Sequence, residues 1–219
     1  MNLFQLYGLL HIAANKDVKS NWLTPEQFQL ELQAKSIRLM RDRLGLPERY
    51  QPGTFQAGAD ASRVIETDLL PFYVESSQTV TNQETNITDW YYIDTYYTAN
   101  SIFPEIISKQ EVPARIKHPT KTPTEEYPAA IVVTKGLKIW PASVTSATVL
   151  YYKKPKDPVF ATTVNDDGEL VYDATNSTEL EWRDENKLDI LYLIAQDMGV
   201  NIEKPDMEQL AQKLVETGK

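Results

Sequence analysis

Residues 129–158, AAIVVTKGLKIWPASVTSATVLYYKKPKDP, are the part of the chain around which the rest is expected to be organised. Its β-branched and aromatic residues fall into three short runs, and such residues favour strands because they pack well on a pleated surface. We therefore expect three successive β-strands, a β-meander, at residues 130–134, 137–140 and 147–152.

Turn residues separate these predicted strands. Lys135-Gly136 suits a tight hairpin turn because glycine adopts positive φ without strain. Pro141 ends the second strand, since proline has no backbone N–H to donate to a sheet. Pro155 and Pro158 end the third strand and stiffen the chain that follows.

Helices are predicted before this β-rich stretch. Thr24 is placed as an N-cap, Pro25 stands in the first turn, and Gln27 can complete a capping box. This helix should run to Leu44 and end at Gly45. Apolar residues at helical spacing predict two further helices, at residues 2–15 and 60–70.

The C-terminal part of the chain predicts a hairpin and two helices. Residues 160–164 and 169–172 should pair across the turn residues 165–168. Ser177 or Thr178 should then cap a helix, because Glu181 follows Thr178 at capping-box spacing. Gly199 should end this helix, and a last helix should begin at Pro205.

The most aromatic stretch is WYYIDTYY, residues 90–97, which predicts another strand of the same sheet. Side chains alternate along a strand, so Trp90, Tyr92 and Tyr96 should share one face, with Tyr91 and Tyr97 on the other. Both faces are apolar enough to be covered, which favours burial over a platform for stacking sugars or bases.

The fold class that follows is α+β, with N-terminal and C-terminal helices packed with a mainly antiparallel sheet from the middle of the chain. We expect a helical part at residues 1–75 and a β-rich part at 76–175, with C-terminal helices at 176–219 completing the helical part. Residues 110–128 are rich in proline and charge, which predicts a long extended arm.

Composition excludes several classes of function. The chain has 219 residues and no cysteine, so it forms no disulfide and offers no thiolate nucleophile or metal ligand. Its net charge of −9 disfavours tight non-specific binding to nucleic acid, because such proteins neutralise phosphates with excess Lys and Arg. It has no apolar run of membrane-spanning length, and the N-terminus lacks signal-peptide features.

Catalytic chemistry has few candidates in this sequence. His11 and His118 stand in unrelated contexts, and no phosphate-binding loop, metalloprotease or nucleophile-elbow motif occurs. Asp166-Asp167-Gly168 reads as a hairpin turn, since an EF-hand needs further ligands at fixed spacing. Four carboxylates fit the start of a helix better than an acid/base pair: Glu179, Glu181, Asp184 and Glu185. We expect no enzyme activity, no cofactor and no metal.

A basic patch in the predicted arm is a candidate interaction site. Arg115, Lys117, His118 and Lys121 lie in the predicted arm, where they could contact DNA phosphates or an acidic surface of a neighbouring subunit. A solvated arm explains the same residues.

The chain resembles structural proteins of tailed bacteriophages. The resemblance rests on the run GLKIWP at residues 136–141, LYYKKP at 150–155, ILYLIAQDMGV at 190–200 and the helix start LTPEQF at 23–28. More specifically, it is similar to ring proteins of the head-to-tail connector and tail barrel in crAss-like phages and related short-tailed phages of Bacteroidetes. The order of these segments is the same over most of the chain.

This resemblance implies a structural protein of the virion, assembled in the cytoplasm of the bacterial host. It would form a homo-oligomeric, dodecameric ring that contacts the portal, an adjacent ring or tail proteins. DNA would pass through the channel during packaging and ejection without sequence-specific binding, and no membrane would be involved. The motifs leave the position of the ring in the stack open.

Two other functions stay open at the level of sequence. A carbohydrate-binding or adhesin-like β module is favoured by the aromatic run at residues 90–97 alone. A hydrolase of unfamiliar type is the other, and no residue can be assigned to it.

Overall fold

The computed structural model describes residues 1–15, 23–45, 67–165 and 170–198. The described helices are α1 (Leu3–Asn15), α2 (Pro25–Arg43), α3 (Val112–Ile116) and α4 (Asp184–Asp197). The described strands are β1 (Tyr73–Thr79), β2 (Trp90–Tyr97), β3 (Glu105–Ile106), β4 (Ala129–Val133), β5 (Gly136–Trp140), β6 (Ser146–Lys153), β7 (Thr162–Val164) and β8 (Leu170–Tyr172). The predicted α+β class is confirmed.

The chain divides into two units. A helical unit combines Met1–Pro71 with Pro155–Lys219, and a β unit is formed by Phe72–Lys154. The helical unit therefore uses both ends of the sequence, and the β unit is a continuous insertion between them.

Local chemistry fixes α2 as the sequence predicts. The Thr24 hydroxyl accepts a hydrogen bond from the Gln27 backbone N–H, and the Gln27 side chain accepts one from the Thr24 N–H. These bonds satisfy backbone donors that have no partner within the helix. After the C-cap residue Leu44, Gly45 has φ of 65°, where glycine is favoured.

The core of the helical unit lies where α1 and α2 pack against α4. The fully buried side chains of this core include Leu3, Leu6, Leu9, Leu10, Phe28, Leu32, Met40, Ile190, Leu191 and Ile194. Each large aliphatic side chain removed from water stabilises the fold by about 1.5–3 kcal/mol. Beside them, the rings of Tyr7, Phe28 and Phe160 pack with centroid separations of 5.1 to 5.5 Å.

The start of α4 differs from the prediction. The helix begins at Asp184 after Arg183, and the predicted cap residues Ser177 and Thr178 lie outside it. Thr178 instead exchanges backbone hydrogen bonds with Val159, and the Ser177 hydroxyl donates to the Asp173 carbonyl. The long-range bonds between Thr178 and Val159 override the local capping signal.

The other helix predictions fall partly outside the described residues. Residues 67–69 are helical and Leu70–Phe72 form a 3₁₀ turn, whereas the predicted start of that helix at residues 60–66 is not described. Gly199 and the helix predicted from Pro205 also lie outside. The hairpin prediction is confirmed, since β7 and β8 pair antiparallel; of its predicted turn, 166–168 lie outside.

The predicted meander is wrong, because its three strands divide between two sheets. β4 and β5 form a hairpin, with β3 parallel to the other edge of β4. β6 pairs instead with β1 and β2, in the order β1-β6-β2. Both edges of β6 are thus occupied, and the outer edge of β5 is bonded to residues 83–85.

The two sheets of the β unit share one core. Ile93, Tyr96, Val149 and Tyr151 contribute from the first sheet, and Leu137 and Ile139 are among the contributors from the second. Thr85 closes this core at its edge, where its hydroxyl oxygen accepts a 2.8 Å hydrogen bond from the Leu137 N–H.

Strand β2 has the predicted bounds but not the predicted alternation. Ile93 and Tyr96 are both buried, three positions apart, while Tyr92 and Tyr97 are exposed. The register with β6 shifts between Trp90 and Tyr92 and again between Ile93 and Thr95. Such bulges insert an extra residue and reverse which side chains face the core, so one face of the strand is open rather than both covered.

The extended arm predicted at residues 110–128 is not observed. This segment contains the helix α3 and turns, and its end runs parallel to residues 102–105, to which it is hydrogen-bonded. The Ile102 N–H donates to the Glu126 carbonyl across 2.8 Å, and the Glu105 N–H donates to the Pro128 carbonyl across 3.1 Å. The proline residues therefore shape a folded connection.

Candidate interaction surfaces

Residues 98–128, termed the lobe, connect β2 to β4 and carry the first candidate surface. The side chains of Ile102, Phe103 and Tyr127 are 56%, 69% and 47% exposed. The Phe103 and Tyr127 rings stack with centroids 6.3 Å apart and an interplanar angle of 19°. Large apolar side chains grouped in this way mark a surface that gains free energy from being covered.

The basic residues predicted from the sequence all lie in the lobe, at and after α3. The Arg115 guanidinium contacts the Glu105 carboxylate at 2.7 Å, so its charge is balanced within the lobe. Lys117, His118 and Lys121 are exposed. The His118 Nδ1 accepts a 3.2 Å hydrogen bond from the Thr120 N–H, and no ion pair of Lys117 or Lys121 occurs within the described part of the chain.

Acidic residues occupy another part of the lobe. Glu125 and Glu126 line an open groove together with Ile102 and Thr124, and Asn100 donates to the Glu125 carboxylate at 3.3 Å. The lobe thus carries both signs of charge around its exposed apolar side chains. Mixed charge of this kind is typical of the rim of a protein interface rather than of a DNA-binding face.

The outward face of the sheet β1-β6-β2 is the second candidate surface, termed the tyrosine face. Tyr73 and Tyr92 stand on either side of Tyr152 in the register of the sheet. Their ring centroids lie 5.3 and 6.4 Å from that of Tyr152, with interplanar angles of 59° and 36°. The rings therefore lean against one another rather than lying in one plane.

Two carboxylates lie among these tyrosines. The Tyr97 hydroxyl donates a hydrogen bond to Glu75, and this bond is the main reason that the pKa of Tyr97 is raised. The pKa of Tyr73 is also raised, first by burial and then by the negative charges of Asp94 and Glu75. Across the four described ranges, neither Glu75 nor Asp94 forms an ion pair. The tyrosine face is therefore negatively charged.

The groups considered for catalysis have structural surroundings. The His11 ring packs edge-on against Tyr7 at 4.3 Å, and burial lowers its pKa. Glu179 accepts hydrogen bonds from the Leu3 N–H and the Tyr172 hydroxyl, and Glu181 contacts Lys156 at 3.4 Å.

Of the four carboxylates expected at a helix start, Asp184 and Glu185 stand in the first turn of α4, whereas Glu179 and Glu181 precede it. Among the described residues, no three His, Asp or Glu side chains are grouped so that they could hold a metal ion.

Sequence reasoning found the basic residues but missed most of both surfaces. Ile102 and Phe103 were not singled out, although an apolar pair directly before Pro104 in a proline-rich segment is a usable signal. The alternation in Tyr73, Glu75 and Ser77 indicates an outward face of β1. The bulges that turn Tyr92 and Tyr97 outward have no such signal.

Comparison with protein-family models gives no match for this chain, and comparison with curated proteins gives none. Within residues 1–15, 23–45, 67–165 and 170–198, no helix has the length and apolar content needed to cross a lipid bilayer.

Proposed function

We propose that this protein is a structural subunit of a phage virion that forms a ring in the head-to-tail connector or tail barrel. The observation that carries the proposal is the pair of exposed aromatic surfaces on the β unit, the lobe and the tyrosine face. An isolated subunit leaves both surfaces in water, and assembly with neighbours would cover them. Twelve copies, as the resemblance implies, would close into one ring.

The charge of the chain supports the same function. A conduit for DNA works best when its wall does not hold the phosphates, and a subunit of net charge −9 repels them. The basic residues of the lobe are few, Arg115 is paired with Glu105, and Glu125 and Glu126 are exposed elsewhere in the lobe, so we assign the basic residues to protein contacts. DNA then passes through the ring without sequence-specific binding.

Solution mass tests this function most directly. The protein would be measured by light scattering after size exclusion, alone and with an assembled portal from a phage of the resembled group. A dodecamer of the 25.0 kDa chain has a mass of about 300 kDa. A ring of that size in either sample supports the proposal, and a monomer in both samples contradicts it.

A carbohydrate-binding β module is the second candidate, because the tyrosine face presents Tyr73, Tyr152 and Tyr92 in one row. Stacking on a sugar requires an accessible ring face, and Tyr92 is 39% exposed. The Tyr152 ring makes angles of 59° with the Tyr73 ring and 36° with the Tyr92 ring. The three rings therefore form no flat platform for a sugar, and we favour packing against a protein surface. Binding of the monomer to a glycan array, with loss of binding in Tyr92→Ala, would establish this second function.

A further inference from the structure

We infer that the lobe of one copy docks on the tyrosine face of the next copy. The inference rests on the proposed function and names the contact that would build the ring. Both surfaces belong to the β unit and share no residue, since the lobe is residues 98–128 and the face is formed by β1, β2 and β6. A contact between two different surfaces of identical chains repeats from copy to copy, and it closes into a ring when the rotation permits.

Complementary charge favours a second copy of this chain as the partner of each surface. The lobe exposes Lys117 and Lys121, which have no ion pair in the described structure, beside the exposed Ile116. The tyrosine face holds Glu75 and Asp94, whose charges are also unbalanced there and act on Tyr73. Docking brings opposite charges together around aromatic and aliphatic side chains, which is the usual composition of a specific interface.

Charge also disfavours one of the two symmetric contacts. Two tyrosine faces would bring together Glu75 and Asp94 of both copies, and like charges at an interface cost free energy. Two lobes would meet with both signs of charge, because the lobe exposes Glu125 and Glu126 besides Lys117 and Lys121. That contact would join copies in pairs and give no ladder in the experiment below.

Disulfide trapping tests the contact cleanly, because the chain has no cysteine of its own. The variant Lys121→Cys with Asp94→Cys would be oxidised with diamide and run on a non-reducing gel. We expect a ladder of covalent oligomers, since each copy can join two neighbours. An equal mixture of the two single variants should stop at the dimer, because each chain then carries one thiol.

A matched control places the thiol elsewhere on the same unit. Lys135→Cys with Asp94→Cys keeps the residue types but moves one cysteine to the turn at the far end of β4 from the lobe. This control should give no ladder. A ladder of equal strength in the control, or none in the Lys121 variant, would overturn the inference.

Charge reversal gives a second readout in the trapping variant. Lys117→Glu or Glu75→Lys alone should slow formation of the ladder about threefold, and the two together should restore it. Thermal unfolding of each variant checks that folding is retained. Slowing without restoration would contradict the pairing of these two surfaces.

The outcome separates this inference from the proposed function. If the unmodified chain forms a ring of about 300 kDa but the trapping variant gives no specific ladder, the proposed ring function is supported and the contact between the lobe and the tyrosine face is refuted. A specific ladder from a chain that never closes into a ring would support the contact and refute the connector function.

Discussion

The indole Nε1 of Trp182 donates a 2.7 Å hydrogen bond to the hydroxyl oxygen of Ser36, and both side chains are 2% exposed. Ser36 lies in the middle of α2, and Trp182 lies two residues before Asp184, the first residue of α4. The bond therefore joins the two ends of the sequence inside the helical unit. The bond pairs a buried donor, the Trp182 N–H, with a buried acceptor, the Ser36 hydroxyl oxygen.

Ser36→Ala should lower the free energy of unfolding by about 1–3 kcal/mol. The cost arises because the Trp182 N–H stays buried and loses its acceptor. Urea denaturation followed by tryptophan fluorescence measures it. In a Trp182→Phe background the same substitution should cost less, since no donor remains. Equal losses in both backgrounds would show that the hydrogen bond is not the cause.

Gly136→Ala should destabilise the protein by more than about 1 kcal/mol. Gly136 has φ of 108°, and a Cβ added there would lie 2.5 Å from the Thr85 hydroxyl oxygen. The substitution strains the backbone and displaces the group that bonds the Leu137 N–H. Thermal unfolding reports the loss.

Gly8→Ala is the matched control for that substitution. Gly8 lies in α1, and a Cβ added there meets nothing within 4 Å. Alanine is favoured over glycine inside a helix, so the control should leave stability unchanged or raise it by about 0.5–1 kcal/mol. A loss in the control as large as that of Gly136→Ala would contradict the role assigned to φ and to Thr85.

Alkaline pH should weaken the fold through Tyr151. Burial, with the hydrogen bond to Asp89 and the charge of Asp89, raises the pKa of Tyr151 to about 12. The pKa of tyrosine in an unfolded chain is about 10. Between these values the unfolded state binds fewer protons, so the free energy of unfolding falls as pH rises.

Urea denaturation from pH 8 to pH 11 measures this dependence. Tyr151→Phe should lose about 1 kcal/mol at pH 8 and then fall less steeply than the unmodified protein. Burial also raises the pKa of Tyr96, so part of the dependence of the unfolding free energy on pH should remain in the variant. An unchanged slope in Tyr151→Phe would exclude Tyr151 as its source.

Thr24→Ala should cost about 1 kcal/mol, because it removes the acceptor for the Gln27 N–H at the start of α2. Thr24→Ser keeps the hydroxyl and should cost little. Guanidinium denaturation of the two variants distinguishes loss of the cap from a change in side-chain volume. Equal stability of the two variants would argue against the capping box.

The parts of the fold that the sequence predicts are those decided by neighbouring residues. Thr24, Pro25 and Gln27 act within one turn, and Gly45 ends the same helix, so α2 was predictable at both ends. The bounds of β2 follow from its composition. Pairing is decided by distant residues, which is why the separation of β5 from β6 was not visible in their short connection.

The candidate surfaces were predictable in part for the same reason. Lys117 and Lys121 are identified by composition alone. The tyrosine face requires knowing that β6 lies between β1 and β2 and that bulges turn Tyr92 and Tyr97 outward. The helix cap predicted at Ser177 or Thr178 shows the same limit. The local sequence pattern is that of a cap, but hydrogen bonds that join these residues to Val159 and Ala161 determine the structure instead.

The central position of β6 has a consequence for synthesis on the ribosome. β1 and β2 leave the exit tunnel first, but among the described strands their one partner is β6, which is made last of the three. Until residue 153 has emerged, β1 and β2 lack β6 as a pairing partner. Sheets that depend on non-local strand pairing form slowly. The nascent chain therefore passes through an aggregation-prone interval, and translation pauses before residue 146 should reduce the yield of native protein.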